Sequence, residues 1–189
     1  MASSIVDARD WQASADGPPL ERLLEQAAPG DRLLIAPGHY RVNLLVNKPI
    51  IIEGAPGAVL DGGGIGDVVR IRASDVVIRG LRLQGSGRDL TQMNAVIFVE
   101  PGAHRVAIEN NRINSDAFGV WLDNVTEARV TGNHIQGNVA LRSQDRGNGI
   151  HLFNTTGALV ENNEIWEARD GIYIDTSNHN VLRLSLIHI

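Results

Sequence analysis

The sequence repeats itself. Gly149-Ile150-His151-Leu152 returns 22 residues later as Gly171-Ile172-Tyr173-Ile174, and it stands 30 residues earlier as Gly119-Val120-Trp121-Leu122. A second phrase recurs alongside it. Ile78-Arg79-Gly80-Leu81-Arg82-Leu83 becomes Ile108-Glu109-Asn110-Asn111-Arg112-Ile113, then Val130-Thr131-Gly132-Asn133-His134-Ile135, then Val160-Glu161-Asn162-Asn163-Glu164-Ile165. The steps alternate between 30 and 22 residues. One coil is therefore 22 residues long, and every other coil carries an insertion. A unit this short cannot bury an apolar face alone, so neighbours must stack into a solenoid. The alternation of apolar and polar residues makes the stacked element a strand, and the fold an all-β parallel β-helix.

Parallel rungs stack at about 4.8 Å, so equivalent residues form columns. Two inward columns are aliphatic: Ile97, Val120, Ile150 and Ile172, then Ile108, Val130, Val160 and Leu182. Asn111, Asn133 and Asn163 form a third, at a bend. Stacked amides there can bond along the axis and tolerate a turn backbone, which makes this ladder structural.

Composition fits that class. Hydrophobic residues make up 43% and charged residues 21%, which is globular, while aromatics are only 4% and glycines number 20. Net charge is −5, Lys48 is the sole lysine and no basic stripe appears, so nucleic acid is not an expected partner. Without cysteine, thiolate metal sites and disulfides are excluded. No apolar run reaches the ~18 residues that a membrane span needs, nor does the N-terminus carry an apolar core of signal-peptide length.

Along the chain, residues 1–17 read as a loosely held lead-in anchored by Ile5, Val6 and Trp11. Residues 18–189 form one β-helix domain. It opens with an amphipathic helix at about 19–28, whose Leu20, Leu23, Leu24 and Ala27 share a face suited to cap the first coil. The two insertions, residues 85–92 and 138–146, both precede a Gly-Ile strand. At the end, Ser185 stands where the Asn ladder should continue, and Val181–Ile189 forms a bare apolar strand. The chain is expected to be truncated at its C-terminus, with a tail that breaks the repeat.

Functional groups belong to the outward columns. Phe98, Trp121, His151 and Tyr173, preceded by Arg70, make one; Glu100, Asp123, Phe153 and Asp175 make the next. With Arg142 and Arg146 from the second insertion, these residues outline a binding groove. The other reading is that the rings stack simply to stabilise the coil. In the groove reading, removing the Trp121 and Tyr173 rings leaves the fold largely intact. Asp123 and Asp175 lie two rungs apart, roughly 9.6 Å, too far for a retaining glycosidase pair and at the edge of the inverting range. No catalytic residues are assigned. Histidines form no close His-x-His pair, and the weak candidates for a metal are His151 with Met93, a soft pair suited to Cu(I).

Two resemblances follow. Residues 28–40, Ala-Pro-Gly-Asp-Arg-Leu-Leu-Ile-Ala-Pro-Gly-His-Tyr, resemble the start of many right-handed parallel β-helices of the pectin-lyase-like superfamily. Residues 142–154, Arg-Ser-Gln-Asp-Arg-Gly-Asn-Gly-Ile-His-Leu-Phe-Asn, with Gly157-Ala158-Leu159-Val160 and Arg169-Asp170-Gly171-Ile172-Tyr173, resemble the NosD family. That likeness implies a non-catalytic periplasmic accessory protein in nitrous oxide reductase maturation. It further implies ABC transporter subunits, a copper chaperone and nitrous oxide reductase as partners, with copper as a possible ligand. The alternative is a carbohydrate-active β-helix enzyme, a lyase, epimerase or glycoside hydrolase, with sugars along the aromatic column.

Overall fold

A computed structural model describes residues 8–188. The chain winds as a right-handed parallel solenoid of about 8 turns. Its strands form three sheets of eight, seven and six members. One coil shows the plan: Ala107–Glu109 lies in the first sheet, Arg112–Ser115 in the second and Phe118–Asp123 in the third. The expected registers hold, with Ile97, Val120, Ile150 and Ile172 paired in turn. Ile78, Ile108, Val130, Val160 and Leu182 pair likewise. In this second column every residue but Leu182 is fully buried, contributing about 1.5–3 kcal/mol each.

The bend between first and second sheets explains the asparagines. Asn133 Oδ1 accepts from both the backbone N–H and the side-chain amide of Asn111, at 3.0 and 3.1 Å. Its own amide donates to the Ile108 carbonyl at 2.8 Å. Asn163 serves Asn133 in the same way, at 3.0 Å for both bonds. Gly119 and Gly149, at the start of two successive third-sheet rungs, answer to crowding. A side chain on Gly119 would strike the Gly149 carbonyl, and one on Gly149 would meet Ile165 and the Gly171 carbonyl.

At the N-terminal end, helix Leu20–Gln26 buries Leu20, Leu23 and Leu24 against the first coil. Lys48, the only lysine, closes that helix by donating to the carbonyls of Leu24, Glu25 and Ala27 at 2.9, 3.1 and 2.8 Å. These carbonyls have no partner within the helix, and a cation there also meets the negative end of its dipole.

The lead-in is more ordered than the sequence suggests. Asp10–Ala13 is the first strand of the eight-stranded sheet, in register with Arg32–Ile35. The cause is Asp31, buried and accepting from the Arg9 N–H, the Trp11 indole and the Ala28 N–H, each at 2.8 Å. Those bonds, Arg9's first, hold its pKa below the usual carboxylate value. The solenoid thus begins before residue 18. The anchors Ile5 and Val6 lie outside the described residues.

At the other end, Val181–Arg183 and Leu186–His188 still pair in register with the preceding coil. Ser185 departs from the ladder less than its identity suggests, since its Oγ accepts from the Asn163 N–H at 3.3 Å. Leu184 does not fit so well: it takes the position of Asn110, Gly132 and Asn162, at a φ of 53°. Ile189 lies outside the described residues.

Candidate functional site

Third-sheet register sets the outward column as expected. Arg70, Phe98, Trp121, His151 and Tyr173 occupy successive rungs. Asp123, Phe153 and Asp175 do the same one position outward.

The rings are not a solvent-exposed platform. Phe98, Trp121 and His151 are buried, while Tyr173 is 43% exposed. With Phe118 and two alanines, Phe98 and Trp121 make a small second core on the outside of the coil, against which Leu90 and Phe153 pack. Leu90 comes from the first insertion, so that loop covers the Phe98–Trp121 end of the column. Trp121 stacks on His151 with centroids 3.9 Å apart, and Phe118 meets the indole edge-on at 4.7 Å. Arg70 closes the near end with its guanidinium 4.3 Å from the Phe98 ring centre. The reading in which rings stack to stabilise the coil is therefore the one that the geometry favours for these three. Removing Trp121 would open a cavity, contrary to the expectation that the fold tolerates it.

His151 is an unusual member. Asn148 donates to its Nδ1 at 3.0 Å while accepting from Arg169 at 3.3 Å, so the neutral ring carries its proton on Nε2. Burial lowers its pKa from 6.5 to about 4, despite the opposing pull of Asp175. Both His151 Nε2 and Trp121 Nε1 are buried without a hydrogen-bond partner. Two unmet donors stacked face to face carry a desolvation cost of about 1–3 kcal/mol each.

The carboxylates divide by environment. Burial pushes the pKa of Glu100 up, but hydrogen bonds from Arg70 and Arg72, both at 2.8 Å, outweigh it and leave it lowered. Asp123 has its pKa raised, chiefly by burial and then by Glu100. Asp175 accepts from its neighbour Thr176 at 2.8 Å.

The remaining candidates separate. Arg142 is exposed and paired with Asp145 at 2.6 Å. Arg146 fastens its own loop, donating to the Leu141 carbonyl at 2.9 Å and to Glu167 Oε2 at 2.8 Å. Met93, exposed with a φ of 53°, sits before the Ala95–Val99 strand, two rungs from that of the buried His151. The structure does not bring this pair together.

A more open surface lies on the second sheet. Its outer face carries Arg82, Arg112, His134 and Glu164 in one column and Gln84, Asn114, Gln136 and Trp166 in the next. Two adjoining depressions of about 400 and 440 Å³ run over it, both bordered by Asn114, Gln136 and Val139. Val139 belongs to the second insertion, which thus overhangs this face instead of the aromatic column. The signal was present in the sequence: Arg82-x-Gln84, Arg112-x-Asn114, His134-x-Gln136 and Glu164-x-Trp166 flank successive inward residues.

Comparison with known proteins agrees with this architecture. The family described as "Right handed beta helix region" matches residues 67–188. The chain is 41% identical over 159 residues to the "Probable ABC transporter binding protein NosD" of Pseudomonas aeruginosa, covering 84% of this chain and 37% of that protein. It is 43% identical over 141 residues to the protein of the same name from Stutzerimonas stutzeri, covering 75% of this chain and 32% of that one. The matched stretch is thus about a third of the length of either relative. Among solved structures, the alginate lyase of Paenibacillus sp. str. FPU-7 superposes with a TM-score of 0.64 at 18% identity, covering 95% of this chain and 76% of that one, a likeness of fold alone. Its coils, its registers and these relatives together place the chain in the right-handed β-helix family, among the NosD-like proteins.

Proposed function

We propose that this chain is the β-helical docking part of a NosD-type accessory protein, serving an ABC transporter from the periplasmic side. In this reading copper is cargo, passed between a copper chaperone and nitrous oxide reductase with the β-helix as scaffold. The observation that carries it is the 41% identity, over 84% of the chain, to a protein named for ABC transporter binding. Geometry supports a scaffold over a catalyst. Two of the acids near the rings are engaged, Glu100 by two arginines and the buried Asp67 by Arg70 and the Ala95 N–H. Of the rings that would carry sugars, Phe98 and Trp121 are buried under Leu90, and Trp121 is stacked on the buried His151. The test is retention of the purified 189-residue chain by the ABC transporter of its source, held in lipid nanodiscs. Salt-sensitive, saturable retention is the expected result. No retention, together with cleavage of alginate or polygalacturonate by the chain, would replace the reading with a carbohydrate-active one.

A further inference from the structure

On most of the solenoid surface, like charges are kept off neighbouring rungs. In the first sheet Arg79 pairs with Glu53 at 2.6 Å, Arg129 with Glu109 at 3.8 Å, and Arg183 with Glu161 at 2.8 Å. In the third, Arg70 pairs with Glu100 at 2.8 Å. The second sheet breaks this pattern. Arg82 and Arg112 are direct register partners on adjacent rungs, both exposed. Among the described residues, neither has an ion-pair or side-chain hydrogen-bond partner. Like charges set directly opposite one another across a strand pair are destabilising. His134 extends the column, though Glu164 holds its Nδ1 at 3.1 Å.

Beside these arginines lies the groove bordered by Asn114, Gln136 and Val139. Its far wall is Trp166, whose ring is nearly parallel to His134 on one side and His188 on the other, with centroids 5.9 and 6.0 Å away. The indole faces therefore point along the solenoid axis, and its edge is turned outward. A sugar ring would need an outward face to stack on; an edge and a row of amides suit hydrogen bonding to a peptide.

We propose that the outer face of the second sheet, centred on Arg82 and Arg112, is the docking surface for a carboxylate-rich segment of a partner protein. This deepens the docking function and rests on it. Each guanidinium takes a carboxylate through charge-assisted, paired N–H donors, which relieves the repulsion between them. Asn114 and Gln136 supply amides for the partner's backbone, and Val139 gives an apolar edge. The carboxylates bordering the groove are paired, Asp116 with Arg88 and Glu167 with Arg146, so against a net charge of −5 the two guanidiniums are the groups that orient an acidic partner onto this face.

The probe is labelled poly-L-glutamate, titrated against the intact 189-residue chain at low salt. Wild type should bind, and added salt should abolish binding. Arg82→Gln with Arg112→Gln should weaken it about tenfold or more, from the loss of two charge-assisted contacts. Arg105→Gln, whose arginine pairs with Asp75 elsewhere, should bind like wild type. All three substituted residues are exposed, and matched melting curves check that the variants fold. Equal binding by the double variant overturns the proposal; so does tighter binding of polygalacturonate than of poly-L-glutamate at equal carboxylate concentration, which marks a glycan site. Transporter retention separates the two levels. Wild type retained and the double variant lost supports both. Both retained equally overturns the patch and leaves the docking function standing. Neither retained overturns the docking function, and the poly-L-glutamate titration alone then decides the patch.

Discussion

The Trp121 indole lies 3.9 Å from the His151 imidazole, tilted by 26°, and each ring leaves a buried N–H without a partner. This contact between neighbouring rungs defines the small outer core. It is apolar in packing yet carries two unmet donors, so its contribution to stability comes from ring contact alone.

Trp121→Phe should therefore be mild. It keeps an aromatic ring against His151 and removes one unmet donor, so the expected change is within about 1.5 kcal/mol. Trp121→Ala empties a roofed site and should cost about 3–5 kcal/mol. Tyr173→Ala, at the exposed end, should cost less than Trp121→Ala. Chemical denaturation of the three variants checks the order.

His151 gives stability a pH dependence of known sign. Its folded pKa of about 4 lies below the 6.5 of the unfolded chain, so the unfolded state binds more protons between those values. Its contribution is complete above about pH 6.5 and is lost as pH falls towards 4, by at most about 3 kcal/mol. His151→Phe should melt with a shallower pH dependence than wild type across that window. Parallel curves would contradict the assignment.

The Asn ladder should be intolerant of isosteric apolar replacement. Asn133→Leu strips the Asn111 amide and the Ile108 carbonyl of buried partners, at roughly 3 kcal/mol or more in sum. Thermal unfolding measures the loss, which should far exceed that of an exposed control such as Asn114→Leu.

Leu184→Gly should stabilise. A leucine at a φ of 53° carries a left-handed strain of about 1–2 kcal/mol that glycine does not, and the side chain is 75% exposed, so little packing is lost. Lys48→Met should have the opposite effect, leaving three carbonyls at the helix end unmet; the helix loses its cap, and proteolysis near residue 27 should speed up.

Which features the sequence disclosed follows from their range. Columns such as Ile108–Val130–Val160 and Asn111–Asn133–Asn163 are legible because a fixed period turns sequence spacing directly into stacking. The burial of Phe98, Trp121 and His151 is not, because it depends on where an inserted loop lays Leu90. The strand Asp10–Ala13 was equally hidden: only four residues long, it is held by Asp31, some twenty residues away. The second-sheet face is written in plain alternation, but its outward columns from Arg82 to Trp166 carry one aromatic, Trp166, where the third-sheet column carries Phe98, Trp121 and Tyr173.

Hydroxyl-radical footprinting of the chain, free and bound to the transporter, tests the docking scaffold most directly, since it reports side-chain access at single residues. Protection should centre on His134, Val139 and Trp166, with Tyr173 and Phe153 unchanged. Protection confined to Tyr173 and Phe153 would move the contact off the second-sheet face, and none at saturating transporter would contradict the docking scaffold.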